Sequence, residues 1–200
     1  SAASRFQRFD RYQQQAVSLL TSPEIRRAFD LKTVPDKVVN TYGRNQFGLS
    51  LLLTRRLLEA GVSMIQVNLG RNGTWDLHSR AFPISKQNLL PQTDRALSAF
   101  LDEMDERGLL ADTLIVMAGE FGRTPHINSR KGTASKVLQP GRDHHPYAMS
   151  VLVAGAGMET GQVVGSTTAK GERPKTRRLD PNDLLATVYR HLGIDHQAMV

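Results

Sequence analysis

The chain has 200 residues, 40% hydrophobic and 22% charged, which are the proportions of a folded domain and not of a disordered segment. Its length suits one domain or a large part of a bigger one, and no apolar run is long enough to span a membrane. With no cysteine there are no disulfides, no thiolate metal site and no cysteine nucleophile, while 26 Lys and Arg against 19 Asp and Glu (net +7) favour acidic partners.

The first residues, Ser1 to Asp10, hold no initiator Met, no apolar core and no small-residue cleavage site, so they are not a signal peptide and read as the start of a processed or truncated chain. From Phe6 to Ala28 the pattern is that of an amphipathic helix, and Ser22-Pro23-Glu24 has the form of a helix start: a cap, a first-turn proline and a first-turn acid. Leu31 to Gly43, with Pro35, reads as a connection. Phe47, Leu51, Leu52, Leu57 and Leu58 then mark a helix over Gln46–Ala60, stopped by Gly61. Val62 to Leu69 has the composition of a strand. A long helix follows over Asn88–Arg107, with Leu90, Leu97, Phe100, Leu101 and Met104 on one side and Gly108 after it.

Thr113 to Ala118 is a continuous apolar run, the mark of a strand buried on both faces, and Met149 to Ala154 is a second. The last helix is expected over Asp183–Leu192, stopped by Gly193. This rhythm predicts a layered α/β domain with a mainly parallel sheet flanked by helices, residues 1–60 being mainly helical and 61–200 forming the α/β core. The polar stretch from Gly119 to Pro146 is long for a connection in a compact domain, and such stretches carry function.

Three clusters follow or precede these strands. In Trp75-Asp76-Leu77-His78, a carboxylate and an imidazole two residues apart converge if the segment is extended, and such a pair suits a divalent cation. An Asp–His hydrogen bond that merely orders the loop is the plainer alternative. Gly119-Glu120-Phe121-Gly122-Arg123-Thr124-Pro125 lies at the end of a strand, where ligands gather in parallel α/β sheets. Its two glycines allow close approach to a ligand, Glu120 is a candidate metal ligand or general base, and Arg123 is a candidate anion clamp. An ion pair between Glu120 and Arg123 on a tight turn is the alternative. Gly141-Arg142-Asp143-His144-His145-Pro146 offers hard oxygen and borderline nitrogen donors side by side. His126, His191 and His196 have the setting of surface or packing residues.

The densest basic run, Lys170, Arg173, Lys175, Arg177 and Arg178, has no aromatic residue interleaved, which disfavours nucleic acid and suits a solvated loop.

These clusters, together with Tyr42-Gly43, the stretch Leu53 to Val62, Asp94-Arg95-Ala96-Leu97, Asp105 to Leu110 and the tail from Asp183 to Ile194, resemble a family of bacterial proteins of unknown function, family 1501 of such domains. It is abundant in planctomycetes and classed as sulfatase-like within the alkaline phosphatase superfamily. The resemblance runs over nearly the whole chain. It implies the C-terminal portion of a layered sulfatase-like fold and a metal-dependent hydrolase acting on phosphate or sulfate esters. It also implies a divalent metal (Zn, Mn or Ca) held by Asp76, His78, Glu120, Asp143 and His144, with Glu120 and Arg123 in catalytic roles and Arg123 and Arg142 binding the anionic ester. In relatives a nucleophile and a further ligand are expected from an N-terminal strand that precedes this chain, which makes an N-terminal segment of the same protein a partner. Where relatives place Trp after the Asp-His pair, this chain has His145. Export of relatives implies an extracytoplasmic setting. The competing function is a non-catalytic module on the same fold that binds anions or polysaccharide through its basic surface.

Overall fold

The computed structural model describes residues 13, 14, 17, 18, 22–131 and 136–195. It divides into two compact units, residues 1–72 with 89–103, and residues 73–88 with 104–200. Of the expected helix over Phe6–Ala28, residues 6–12, 15, 16 and 19–21 lie outside the described residues, while 13, 14, 17 and 18 are helical.

In the first unit, α1 (Pro23–Phe29) begins where the Ser-Pro-Glu signal places it: the Ser22 hydroxyl accepts from the N–H groups of Glu24 and Ile25 at 3.2 and 3.3 Å. Leu31 to Gly43 is not a plain connection. Residues Leu31–Thr33 form a 3₁₀ turn and α2 spans Asp36–Tyr42, because Pro35 sits just ahead of the helix, where its missing N–H costs nothing. Helix α3 (Gln46–Glu59) is capped by Asn45, whose side-chain oxygen accepts from Phe47 and Gly48.

Two arginines close the carbonyl ends of the short helices. Arg56 donates to the Ala28 carbonyl at 2.8 Å and also to that of Arg27, at the end of α1. Arg95 donates to the carbonyls of Thr41 (3.1 Å) and Asn40, at the end of α2. The core is apolar, with Tyr42, Phe47, Leu51, Leu52, Ala96, Ala99 and Phe100 buried. Among the described residues one charged group lies inside it, Arg55, only 5% exposed and held by Glu59 at 2.6 Å and Glu103 at 2.9 Å. The Tyr42 hydroxyl donates to Glu103 at 3.0 Å, and burial together with that carboxylate drives the phenol's pKa well above its ordinary value.

Val62–Leu69 was expected as a strand and belongs to no ladder among the described residues. Strand-type side chains do not make a strand without a partner for the backbone N–H and C=O groups.

The second unit starts with a short helix, α4 (Ala81–Ile84), which leads into a π-helical turn over Ser85–Leu89. The long helix α5 (Leu90–Glu106) begins two residues inside the expected start, and its residues up to Glu103 belong to the first unit. Eight short strands follow: β1 (Leu114–Met117), β2 (Gly122–Arg123), β3 (Asn128–Lys131), β4 (Leu138–Gly141), β5 (His144–His145), β6 (Leu152–Gly155), β7 (Ser166–Thr167) and β8 (Pro174–Thr176). Helix α6 covers Pro181–His191, with Asp180 and Asp183 forming a reciprocal capping box.

Among the described residues the strands pair as β1–β6, β2–β5, β3–β4 and β7–β8, and every pair is antiparallel. The two apolar runs therefore meet as an antiparallel ribbon, Leu114 opposite Gly155 and Met117 opposite Leu152, and not through a parallel crossover. A two-stranded ribbon cannot cover both its faces, so β1 is only half-buried and Val116 is exposed. The described residues of the stretch from Gly119 to Pro146 hold β2 to β5, more regular structure than its composition suggests.

Leu52, fully buried in α3, should lose about 2–5 kcal/mol of stability on change to Ala. Leu185, 48% exposed on α6, should lose no more than about 0.5 kcal/mol. Denaturant midpoints of the two variants check this, and equal losses would show that α6 is buried in solution.

Candidate metal centre

Three ligand atoms from distant parts of the second unit's sequence meet at one point. Oδ1 of Asp76 lies 2.8 Å from Nε2 of His144 and 3.1 Å from Nε2 of His78, and the two Nε2 atoms are 3.1 Å apart. Asp76, His78 and His144 form the one cluster of three or more such ligands among the described residues. All three side chains are partly open to solvent.

The backbone explains the convergence. The segment Trp75–His78 carries successive i→i+2 bonds, from Leu77 N–H to the Trp75 carbonyl (2.9 Å) and from His78 N–H to the Asp76 carbonyl (3.1 Å). This ribbon of tight turns replaces the extended segment of the sequence reading, and it still brings Asp76 and His78 together. Across from it, Arg123 on β2 is the direct partner of His144 on β5. Opposed residues of an antiparallel pair project from the same face, so both side chains reach Asp76. One residue on, His145 turns to the other face, where its Nε2–H donates to the Glu172 carbonyl at 2.9 Å and its ring meets Tyr147 edge-on. Thr124 extends the pairing: its N–H donates to the Asp143 carbonyl at 2.9 Å, and its hydroxyl accepts from the Asp143 N–H at 3.0 Å.

Two glycines make room for backbone, not for a ligand. A Cβ on Gly141 would lie 2.1 Å from the His78 carbonyl oxygen, and one on Gly122 would lie 1.9 Å from that of Ala148. Gly119, by contrast, has ordinary space around it.

Asp143 stands behind the triangle. Its Oδ1 accepts from Nδ1–H of His78 at 2.7 Å, which fixes the tautomer that turns the bare Nε2 of His78 inward. Arg130 donates to the same oxygen at 2.8 Å. Arg123 donates from Nη2 to Oδ1 of Asp76 at 2.6 Å and to the Trp75 carbonyl at 3.0 Å, and from Nη1 to the Arg142 carbonyl at 3.2 Å. Arg142 is turned elsewhere, donating to the Thr124 carbonyl at 3.1 Å with its guanidinium over the Phe82 ring.

The sequence reading placed five residues on a metal. Asp76, His78 and His144 are brought to one point, and Asp143 is held one step back, on the far nitrogen of His78. Glu120 is exposed, lies outside the cluster, and makes no hydrogen bond or ion pair among the described residues, so the alternative of a Glu120–Arg123 pair is not formed either. Sequence reasoning missed Arg130 and Phe121. The Phe121 ring lies 4.3 Å from the ring of His144 and helps fix it. Phe121 was inside the recognised Gly-Glu-Phe-Gly motif, whereas nothing in its surroundings distinguished Arg130 from other surface cations.

The hydrogen bond from His144 and then the contact with Arg123 hold the Asp76 carboxyl down at about 2. The His78 ring N–H, with the charge of Arg130 a smaller cause, lowers that of Asp143. Both carboxylates bind protons more weakly in the folded state than their ordinary values imply. Their contribution to stability is therefore present above about pH 4 and is lost as the pH falls toward 2. Denaturant midpoints measured from pH 5 to pH 2 should decline, and Asp76→Asn should flatten that decline. Superimposable acid profiles for the two proteins would contradict the network.

A family model described as "Protein of unknown function (DUF1501)" matches residues 1–200 of the chain. No curated protein and no solved structure matches it.

Proposed function

This chain belongs to the DUF1501 family, and we propose that it acts as a metal-dependent hydrolase-like protein on phosphate or sulfate esters, with a divalent cation held by Asp76, His78 and His144. The observation that carries this reading is the triangle of donor atoms 2.8–3.1 Å apart. Four ligands placed tetrahedrally about 2.0–2.1 Å from a zinc-like ion lie about 3.3 Å from one another, so three of the edges are already nearly the right length. Three protein donors leave a further position open, the arrangement of reactive and not of structural sites.

The donor chemistry fits the cation. Two imidazoles and one carboxylate suit Zn²⁺ or Mn²⁺, and the nitrogen share argues against Ca²⁺, which takes oxygen ligands. When bound, such an ion supplies Lewis-acid polarisation of an ester oxygen and stabilisation of developing negative charge. The chain's own residues do the rest. Asp143 holds His78 in the tautomer that offers Nε2, Phe121 and the β2–β5 pair fix His144, and Arg123 places a guanidinium beside the open face. The layered sulfatase-like architecture and an extracytoplasmic setting belong to the same proposal, through the resemblance already described. Glu120 lies outside this triangle of ligand atoms.

A second reading, the non-catalytic anion-binding module, is favoured by one observation. Lys170, Arg173, Lys175, Arg177 and Arg178 are all exposed along and beside β8, with Arg173 stacked 4.6 Å over Tyr147. Binding of a sulfated polysaccharide through this strip should weaken steeply with salt and survive chelation.

Metal analysis of the purified chain should find a bound transition metal, lost in Asp76→Ala and His144→Ala. Asp143→Asn should retain metal with about 10–100-fold weaker affinity. With the N-terminal segment that would carry the nucleophile present, hydrolysis of aryl phosphate or aryl sulfate should stop on chelation. A wild-type chain that takes up no divalent ion, with both alanine variants indistinguishable from it, overturns the proposal.

A further inference from the structure

Arg123 occupies an odd position for a residue beside a cation site. Its Nη2 lies 2.6 Å from Oδ1 of Asp76, the same oxygen that faces both imidazoles. Arg130 likewise sits on Asp143. The two carboxylates are thus matched by two guanidiniums, and with neutral imidazoles the cluster carries no net charge. A divalent cation entering alone would face two positive groups with no negative charge left over. A dianion entering alone would face two carboxylates. Only the pair restores the balance.

Arg123 has anchors that do not depend on Asp76. Besides Asp76 it holds the Trp75 and Arg142 carbonyls, so its side chain stays tethered if the contact with Asp76 is given up. Its side chain is also 28% exposed, so the guanidinium is within reach of solvent.

We propose that Arg123 is a stand-in counter-cation on Asp76, which a divalent ion displaces and a tetrahedral oxyanion then receives, so that cation and dianion bind this site cooperatively. The inference rests on the cation site proposed above and adds to it the order imposed by charge. Arg123 is here a binding residue for the anion and a competitor of the metal, and these roles alternate. Coupling between two ligands is reciprocal, so each must tighten the other by the same factor.

The experiment is calorimetric titration of Mn²⁺ into the chain, in chloride and in saturating sulfate at equal ionic strength. Wild type should bind Mn²⁺ about tenfold more tightly in sulfate, within the usual range of such couplings. Arg123→Gln should bind Mn²⁺ more tightly than wild type in chloride and lose the response to sulfate, whereas Arg130→Gln should keep it. A gain of metal affinity on removing Arg123 is not what a merely structural arginine gives. If Mn²⁺ binds wild type and fails to bind His144→Ala, but neither sulfate nor Arg123→Gln alters its affinity, the coupling is overturned and the cation site stands. If wild type binds no Mn²⁺ in either salt, both are overturned. Should Arg123→Gln not fold, the reciprocal measurement on wild type decides: sulfate must bind about tenfold more tightly with Mn²⁺ present than without.

Discussion

One oxygen, Oδ1 of Asp76, gathers donors that come from three places in the second unit's sequence. Two imidazoles and a guanidinium lie within 3.1 Å of it, and each is delivered by a different local device. A ribbon of i→i+2 turns brings His78. A two-residue antiparallel pair brings Arg123 and His144 together from one face. Remove the carboxylate and two imidazole nitrogens and a guanidinium are left crowding one another. The polar order of this unit is organised around the need to keep that negative charge where it is, and its low proton affinity follows from the same contacts.

The two units are held in different ways. In the first, apolar burial dominates, and polar groups serve to close helix ends or to neutralise the buried Arg55. In the second, Met104 and Ala154 are the buried apolar side chains among the described residues, and α6 has none. What fixes the loops there is hydrogen bonding between carbonyls, guanidiniums and carboxylates, which is directional where apolar contact is not. Directional bonds suit a site that must hold ligand atoms at set distances.

Much of this was legible in the sequence, and the failures have physical causes. Ser22-Pro23 and the apolar spacing of α3 announced themselves because caps and the 3.6-residue period are local. The donors Asp76, His78 and His144 were legible as residue types next to turns. Their meeting was not, since it depends on the pairing of β2 with β5. Asp143 and His144 are adjacent in sequence and so looked alike, yet one faces the triangle and the other the back of His78. Glu120 was chosen for its place after an apolar run, and strand-end placement alone does not aim a side chain. Val62–Leu69 misled because strand propensity describes a residue, while a strand is a relation between two segments.

Gly141 touches none of the chemistry, yet its α-carbon is pressed so closely to the peptide after His78 that even a methyl group has nowhere to go. The polypeptide tolerates no branching at this spot, where two segments remote in sequence are laid backbone to backbone. A genetic screen scored on loss of folded protein would therefore return this glycine beside the buried core residues. Its missing side chain shapes this unit as much as the His78 carbonyl it leaves room for.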